Sequence, residues 1–152
     1  MSTVMNNLNY EIRQLNGRTL EGLIDAVIIL QRAADKSIPL DTGNLRASWF
    51  VVTSGSDNGD MVIGKFKGPN ASEMTQDFSS VTTQAKQVAK ANGREWRPLV
   101  LFGYTANYAV FVHEKVDAKF KRPTAKARWL YSALKNNRKE MIEAIRKKAK
   151  FK

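Results

Sequence analysis

The stretch from Pro39 to Trp49 constrains this chain more than any other, because an apolar helical run stops there and an apolar strand-like run begins. Proline fixes its own φ and pushes Ile38 out of helical space. Asp41, Thr42, Gly43 and Asn44 are residue types that hydrogen-bond locally or tolerate left-handed backbone. The stretch predicts a sharp corner in which Asp41 accepts hydrogen bonds from the backbone N–H of Gly43 or Asn44 and caps a short turn through Leu45 and Arg46. Loss of such a cap costs about 0.5–2 kcal/mol.

Asp41-Thr42-Gly43 is also the triplet that carries the catalytic acid of aspartic proteases. That chemistry needs two carboxylates sharing one proton, each on a loop of a mostly β body. Here the approach is helical, and Arg46 would place a cation close to Asp41 and favour the ionised form. The corner is therefore read as structural.

Upstream of it, Met5, Leu8, Ile12 and Leu15 recur at spacings of three and four, and Leu20, Leu23, Ile24, Val27 and Ile28 continue the stripe. Two helices or one long one are expected, with Asn16-Gly17 as the break, since glycine inside a helix costs about 1 kcal/mol relative to alanine. Downstream, residues 48–53 and 61–66 read as a hairpin whose polar tip, 54–60, protrudes. Residues 68–97 are expected to form a second protruding, mobile loop, with a short helix over 79–91 ended by Asn92-Gly93. A strand resumes over 97–104, and 109–113 is an apolar strand or short helix. Pro123 is placed as the first residue of a basic terminal helix, 123–152, with Leu130, Ala133, Leu134, Met141, Ile142, Ile145 and Ala149 on one face. The fold class is α+β: one mainly antiparallel sheet packed by an N-terminal helix (or two) and a long C-terminal helix, in a single domain of 152 residues.

Charge is one-sided. The formal net charge is +11, and from Glu114 onward 14 Lys and Arg face 4 acids, so nearly all of it lies in the last quarter of the chain. Lys135, Arg138, Lys139, Arg146, Lys147, Lys148 and Lys150 are candidate contacts to DNA phosphates or to acidic protein faces. With no cysteine there are no disulfides and no thiolate metal sites. The longest apolar run, 26–30, is too short to span a bilayer, and no signal-peptide pattern opens the chain, so it is expected in the cytoplasm where it is made, with no membrane partner.

The single histidine, His113, cannot by itself build a protein-only zinc site. No P-loop, dinucleotide fingerprint, nucleophile elbow or metalloprotease motif is present, so neither catalysis nor a cofactor is expected. Trp129 and Tyr131 could stack on bases, as in single-strand binders, but aromatics at the start of a helix facing a sheet are read as core or interface.

Taken in order, Pro39-Leu40-Asp41-Thr42-Gly43-Asn44-Leu45-Arg46-Ala47-Ser48, the strands that follow, Tyr108-Ala109-Val110-Phe111-Val112-His113-Glu114 and the terminal helix resemble the head-tail connector family of tailed bacteriophages (neck, tail-completion or minor capsid proteins). The similarity spans nearly the whole chain. Pro39, Asp41, Thr42, Gly43, Leu45, Arg46 and Ser48 match one recurring segment of that family, and Tyr108, Ala109, Val112 and Glu114 match a second. The chain departs from the pattern after Glu114, where Lys115-Val116 stands in place of the usual Gly-Thr. The resemblance implies a virion structural protein, assembled in the host cytoplasm, that forms a homo-oligomeric ring at the head-tail junction. A hexamer is expected first and a dodecamer second. Its implied partners are head-completion or adaptor proteins and tail-tube or terminator proteins, with non-specific contact to passing DNA. The rival from composition alone is a small basic nucleic-acid-binding domain.

Overall fold

A computed structural model describes residues 2–55, 60–62, 64–94 and 96–150. In chain order the elements are α1 (Ser2–Ser37), α2 (Asn44–Ala47), β1 (Trp49–Thr53), β2 (Met61–Val62), α3 (Ala71–Asn92), β3 (Val100–Tyr104), α4 (Ala109–Glu114) and α5 (Trp129–Ala149). The α+β architecture is as expected, with a long helix at each end and a three-stranded antiparallel sheet in the order β2-β1-β3.

Of the two alternatives, one long helix is what forms: α1 runs for 36 residues, and the break expected at Asn16-Gly17 is absent. The reason lies in packing. Stability of a long helix comes mainly from its buried face rather than from propensity. Here α5 lies antiparallel along α1, with Trp129 packed beside Ile38 and Ile145 beside Gly22. The backbones approach so closely that a Cβ built on Gly22 would lie 2.9 Å from the Ile145 Cα. Lys148, near the end of α5, sits 3.8 Å from both Glu21 and Asp25 on the same turn of α1.

β1 is the central strand, and from Phe50 to Thr53 every side chain is buried, as its unbroken Trp-Phe-Val-Val run demands of a strand covered on both faces. It pairs with β3 from Trp49↔Tyr104 to Thr53↔Val100 and with β2 through Val51↔Met61. Alternation sends Trp49 and Val51, with Phe102 and Tyr104, to one face, and Phe50 and Val52, with Leu101, to the other. On the first face Phe102 and Tyr104 pack against the α1/α5 core of Leu30, Ala34, Ile38, Trp129 and Ala133. Tyr104 meets Trp129 edge-on, with ring centroids 4.7 Å apart.

The second face holds the largest correction. Residues 68–97 are not a protruding loop: 71–92 form a 22-residue helix, begun eight residues earlier than expected, whose Phe78, Val81, Ala85 and Ala89 cover Phe50, Val52 and Leu101. The expected stop holds, since Gly93 is its C-cap and donates its N–H to the Ala89 carbonyl. The sheet is thus sandwiched between two helical layers. The hairpin base is tied down as well: the Thr53 N–H donates to Asp60, Ser54 Oγ accepts from the Leu99 N–H, and Lys86 on α3 pairs with Asp60 at 2.9 Å. Most of the expected hairpin tip, residues 56–59, lies outside the described residues.

The terminal helix begins at Trp129 rather than at Pro123. Residues 122–128 instead bind the end of α1. The Arg122 guanidinium donates to the Asp35 and Ile38 carbonyls at 2.8 and 3.1 Å, and the Lys126 N–H donates to the Ser37 carbonyl. These are carbonyls that a helix end leaves without intrahelical partners.

Candidate functional site

The corner begins where Pro39 stops α1. The backbone turns at Gly43, whose φ of 83° is left-handed and strained for any residue with a Cβ, and passes into the single turn of α2. Asp41 does not cap this turn. The Asn44 N–H donates to Thr42 Oγ1 at 3.3 Å, and the Asp41 carboxylate instead accepts from Lys121 Nζ at 2.8 Å, with both side chains largely exposed. A carboxylate pointing into water finds a cation more readily than a backbone N–H behind it. The pair holds the Lys121 ammonium above its ordinary pKa, the hydrogen bond to Asp41 being the main cause.

Arg46 likewise does not pair with Asp41. It forms a two-pronged ion pair with Asp35 on the last turns of α1, bracing the corner against the helix it leaves. Ser48 is buried, and its hydroxyl donates to the Leu45 carbonyl at 2.8 Å. Leu45 is in the core.

A further tie of the corner comes from Asn44, which the sequence offers only as a turn residue. Its buried amide donates to the Lys67 carbonyl at 2.8 Å and accepts from the Lys67 N–H at 3.0 Å, standing in for a strand partner and fastening the chain leaving β2 to the corner. Asn after Gly is an ordinary turn signal. Its long-range partner, like that of Arg122, leaves no trace in local pattern.

The second motif segment is α4. Ala109 is buried against the α1/α5 core, and Val112 packs beside it. Tyr108 is half-exposed at the helix start; burial, helped by the Asp41 charge, raises its phenol pKa. Glu114 lies on the surface, hydrogen-bonded to His113 Nδ1 at 2.7 Å and 3.5 Å from Arg128 Nε. Those contacts, His113 first, hold its carboxyl below the usual range. The His113 backbone carbonyl accepts the Arg128 N–H at 2.6 Å, its ring packs edge-on against Trp129, and its Nε2 accepts the Tyr131 N–H at 3.4 Å. This histidine therefore seats the start of α5, where Arg128 takes a left-handed φ of 52°.

The two segments, distant in sequence, converge. Pro39 to Leu45 line an open groove of about 520 Å³ together with Tyr108 and Val112. Met74 of α3 and Phe120 add apolar surface, while Lys67, Lys119 and Lys121 also line it. Such a groove, apolar inside with cations about it, can seat an apolar side chain carried on an acidic or polar strand. Within it Asp41 is paired with Lys121, and among the described residues no group of three or more His, Asp or Glu side chains could hold a metal ion.

The basic residues separate into two groups. Lys135, Arg138, Lys139, Arg146, Lys147 and Lys150 are exposed and have no ion-pair partner among the described residues, whereas Lys148 is engaged with α1. Of the two aromatics at the head of α5, Trp129 is fully buried and Tyr131 is 57% exposed. The expected single apolar face is also split: Ala133 and Met141 enter the core, while Leu134 and Ile142 join Tyr131 on the outside. Among the described residues no helix is long and apolar enough to cross a membrane. No family model, curated protein or solved structure matches the chain.

Proposed function

We propose that this chain is a non-catalytic structural subunit of the head-tail junction of a tailed bacteriophage, assembling as a ring, hexameric or dodecameric, that joins head to tail around the DNA path. The observation that carries this reading is the meeting of the corner and the Tyr108–Glu114 segment in one groove. Each segment resembles a part of the connector family. A functional pairing of the two requires them to be neighbours in space, and Asp41, Lys121 and Tyr108 make them so. A ring also needs surfaces left over after the subunit has folded. Val110, Phe111 and Val116 around α4 are large apolar side chains left exposed, as are several on α1 and α5.

In this reading the groove receives a segment of an axial neighbour, a head-completion or adaptor protein on one side or a tail-tube or terminator protein on the other. The exposed bases of α5 steer acidic faces toward it, an effect screened beyond about 8 Å at physiological ionic strength. Protein-facing use of these charges suits a junction that stays assembled while DNA slides through it.

The rival reading, a basic nucleic-acid-binding domain acting alone, draws on the same uncompensated bases of α5. Light scattering combined with DNA titration over a salt series separates the two. A closed oligomer with weak, strongly salt-dependent DNA binding is expected. A monomer that holds DNA tightly at physiological salt would replace the junction reading with the rival.

A further inference from the structure

The apolar stripe that α1 lays against α5 does not end where α5 ends. Ile145 of α5 stands beside Gly22 and α5 ends about one turn later, at Ala149; beyond that level α1 continues toward Ser2 with every described side chain from Thr3 to Gln14 exposed. At 1.5 Å per residue this overhang projects for about 25 Å. Along it Val4, Leu8, Ile12 and Leu15 occupy one side of the helix, the same side that carries Gly22, Ala26 and Leu30 into the core farther on. Val4 is 70% and Leu8 53% exposed. A helix of this length is marginal in water without a packed face, so the stripe needs a cover that the described residues of its own chain do not supply.

A matching stripe stands on the outer flank of α5. Tyr131, Leu134 and Ile142 are exposed there, with the stem of Arg138 between them on the same side of the helix. Read from Val4, the overhang positions advance by four, four and three residues; read backward from Ile142, the flank positions recede by four, four and three. Each stripe is about 16 Å long. Set antiparallel, they oppose Val4 to Ile142, Leu8 to Arg138, Ile12 to Leu134 and Leu15 to Tyr131. That register also sets Glu11, the one acid between Ser2 and Gln14, opposite Lys135, an exposed base with no ion-pair partner among the described residues.

We infer that the α1 overhang of one copy docks antiparallel on the Tyr131–Ile142 flank of α5 in the next copy. The two patches are different surfaces of the same chain, so the contact is heterologous and repeats around an axis, closing a ring when the rotation permits. This rests on the ring reading above and names its subunit interface. The bases nearer the end of α5, Arg146, Lys147 and Lys150, stay outside the contact and remain available to axial partners.

The test uses the full chain with Leu8→Lys, which sets a like charge against Arg138 and disables the overhang, and Leu134→Glu, which disables the flank. Both positions are exposed, so each variant should keep the wild-type circular dichroism and melting profile. Each alone should be monomeric by light scattering, with association at least about 100-fold weaker, since an unpaired charge would be buried. Mixed, they should form a one-to-one dimer that grows no further, the Leu134→Glu copy supplying the intact overhang and the Leu8→Lys copy the intact flank. Glu11→Lys and Lys135→Glu should each weaken assembly, and combined in one chain they should restore it. A stable dimer of Leu134→Glu alone would mean that overhangs pair with each other and would overturn the proposal. Wild-type rings from both variants would overturn the interface and leave the ring reading standing, whereas a wild-type chain that stays monomeric at millimolar concentration would overturn both.

Discussion

Replacing glycine by alanine at two positions of α1 isolates the energy of the close approach between the two long helices. In an α-helix the exchange stabilises by about 1 kcal/mol through propensity alone, and that contribution is common to Gly17 and Gly22. At Gly17 a new Cβ meets nothing within 4 Å. At Gly22 it would stand 2.9 Å from the Ile145 Cα, 3.1 Å from the Ile145 carbonyl oxygen and 3.2 Å from the Lys148 Cβ. Two of these atoms are backbone, so relief requires α5 to move away as a body, loosening its packing on Ala26 and Leu30 and pulling Lys148 from Glu21 and Asp25. Overpacking of this kind costs about 1–3 kcal/mol. Gly17→Ala should therefore raise stability by about 0.5–1 kcal/mol, and Gly22→Ala should fall below Gly17→Ala by about 1–3 kcal/mol. Urea denaturation followed by helical circular dichroism, at a concentration low enough to keep the chain monomeric, measures both. Equal stability of the two variants would refute the argument, because it would mean that the helices do not approach at Gly22.

At the corner, Asn44→Ala should destabilise by about 1–3 kcal/mol, since both hydrogen bonds to Lys67 are lost and a buried site is left unsatisfied; Asp41→Ala should change stability by no more than about 0.5 kcal/mol, as befits an exposed ion pair. Denaturant titration of the two variants checks the contrast, and the opposite ranking would restore Asp41 as the cap. Tyr104 gives a pH signature: burial, with the nearby Asp35 charge, raises its phenol pKa above the ordinary value near 10. Between the unfolded and folded pKa values the unfolded chain has lost a proton that the folded chain keeps, so stability is full below about pH 10 and falls as pH rises beyond it, by up to about 1.4 kcal/mol per unit. Tyr104→Phe should reduce that alkaline slope, and melting curves from pH 9 to 11 in which the variant tracks wild type would contradict the burial of this ring.

What could be read in advance follows from what sequence pattern encodes. Strong apolar periods marked α1, β1, β3 and most of α5, because burial on one or two faces writes itself into spacing. The corner was legible as a corner, since Pro39, Gly43 and Asn44 have few other uses in such an arrangement. α3 was misjudged because the side chains it buries, Phe78, Val81, Ala85 and Ala89, are dispersed among Ser, Thr and Gln, and two are alanines whose burial says little by composition. Gly17 misled for the complementary reason: propensity argued for a break, and packing along α1 outweighed it. Pro123 suits a helix start on local grounds, but 122–128 are claimed by the carbonyls at the end of α1. At the site the two segments could be named, whereas the contacts that join them, Asn44 to Lys67, Asp41 to Lys121 and Arg122 to the end of α1, link residues far apart in sequence and have no local signature.

The central claim is that this chain is a ring subunit at a head-tail junction. Electron microscopy of virions assembled with the chain, carrying an affinity label on its C-terminus, tests it directly. The account predicts label at the vertex where the tail joins, around an axial ring of six or twelve copies, the stoichiometries proposed above. Label over the capsid faces or the tail tip, or particles that lack the chain altogether, would contradict it.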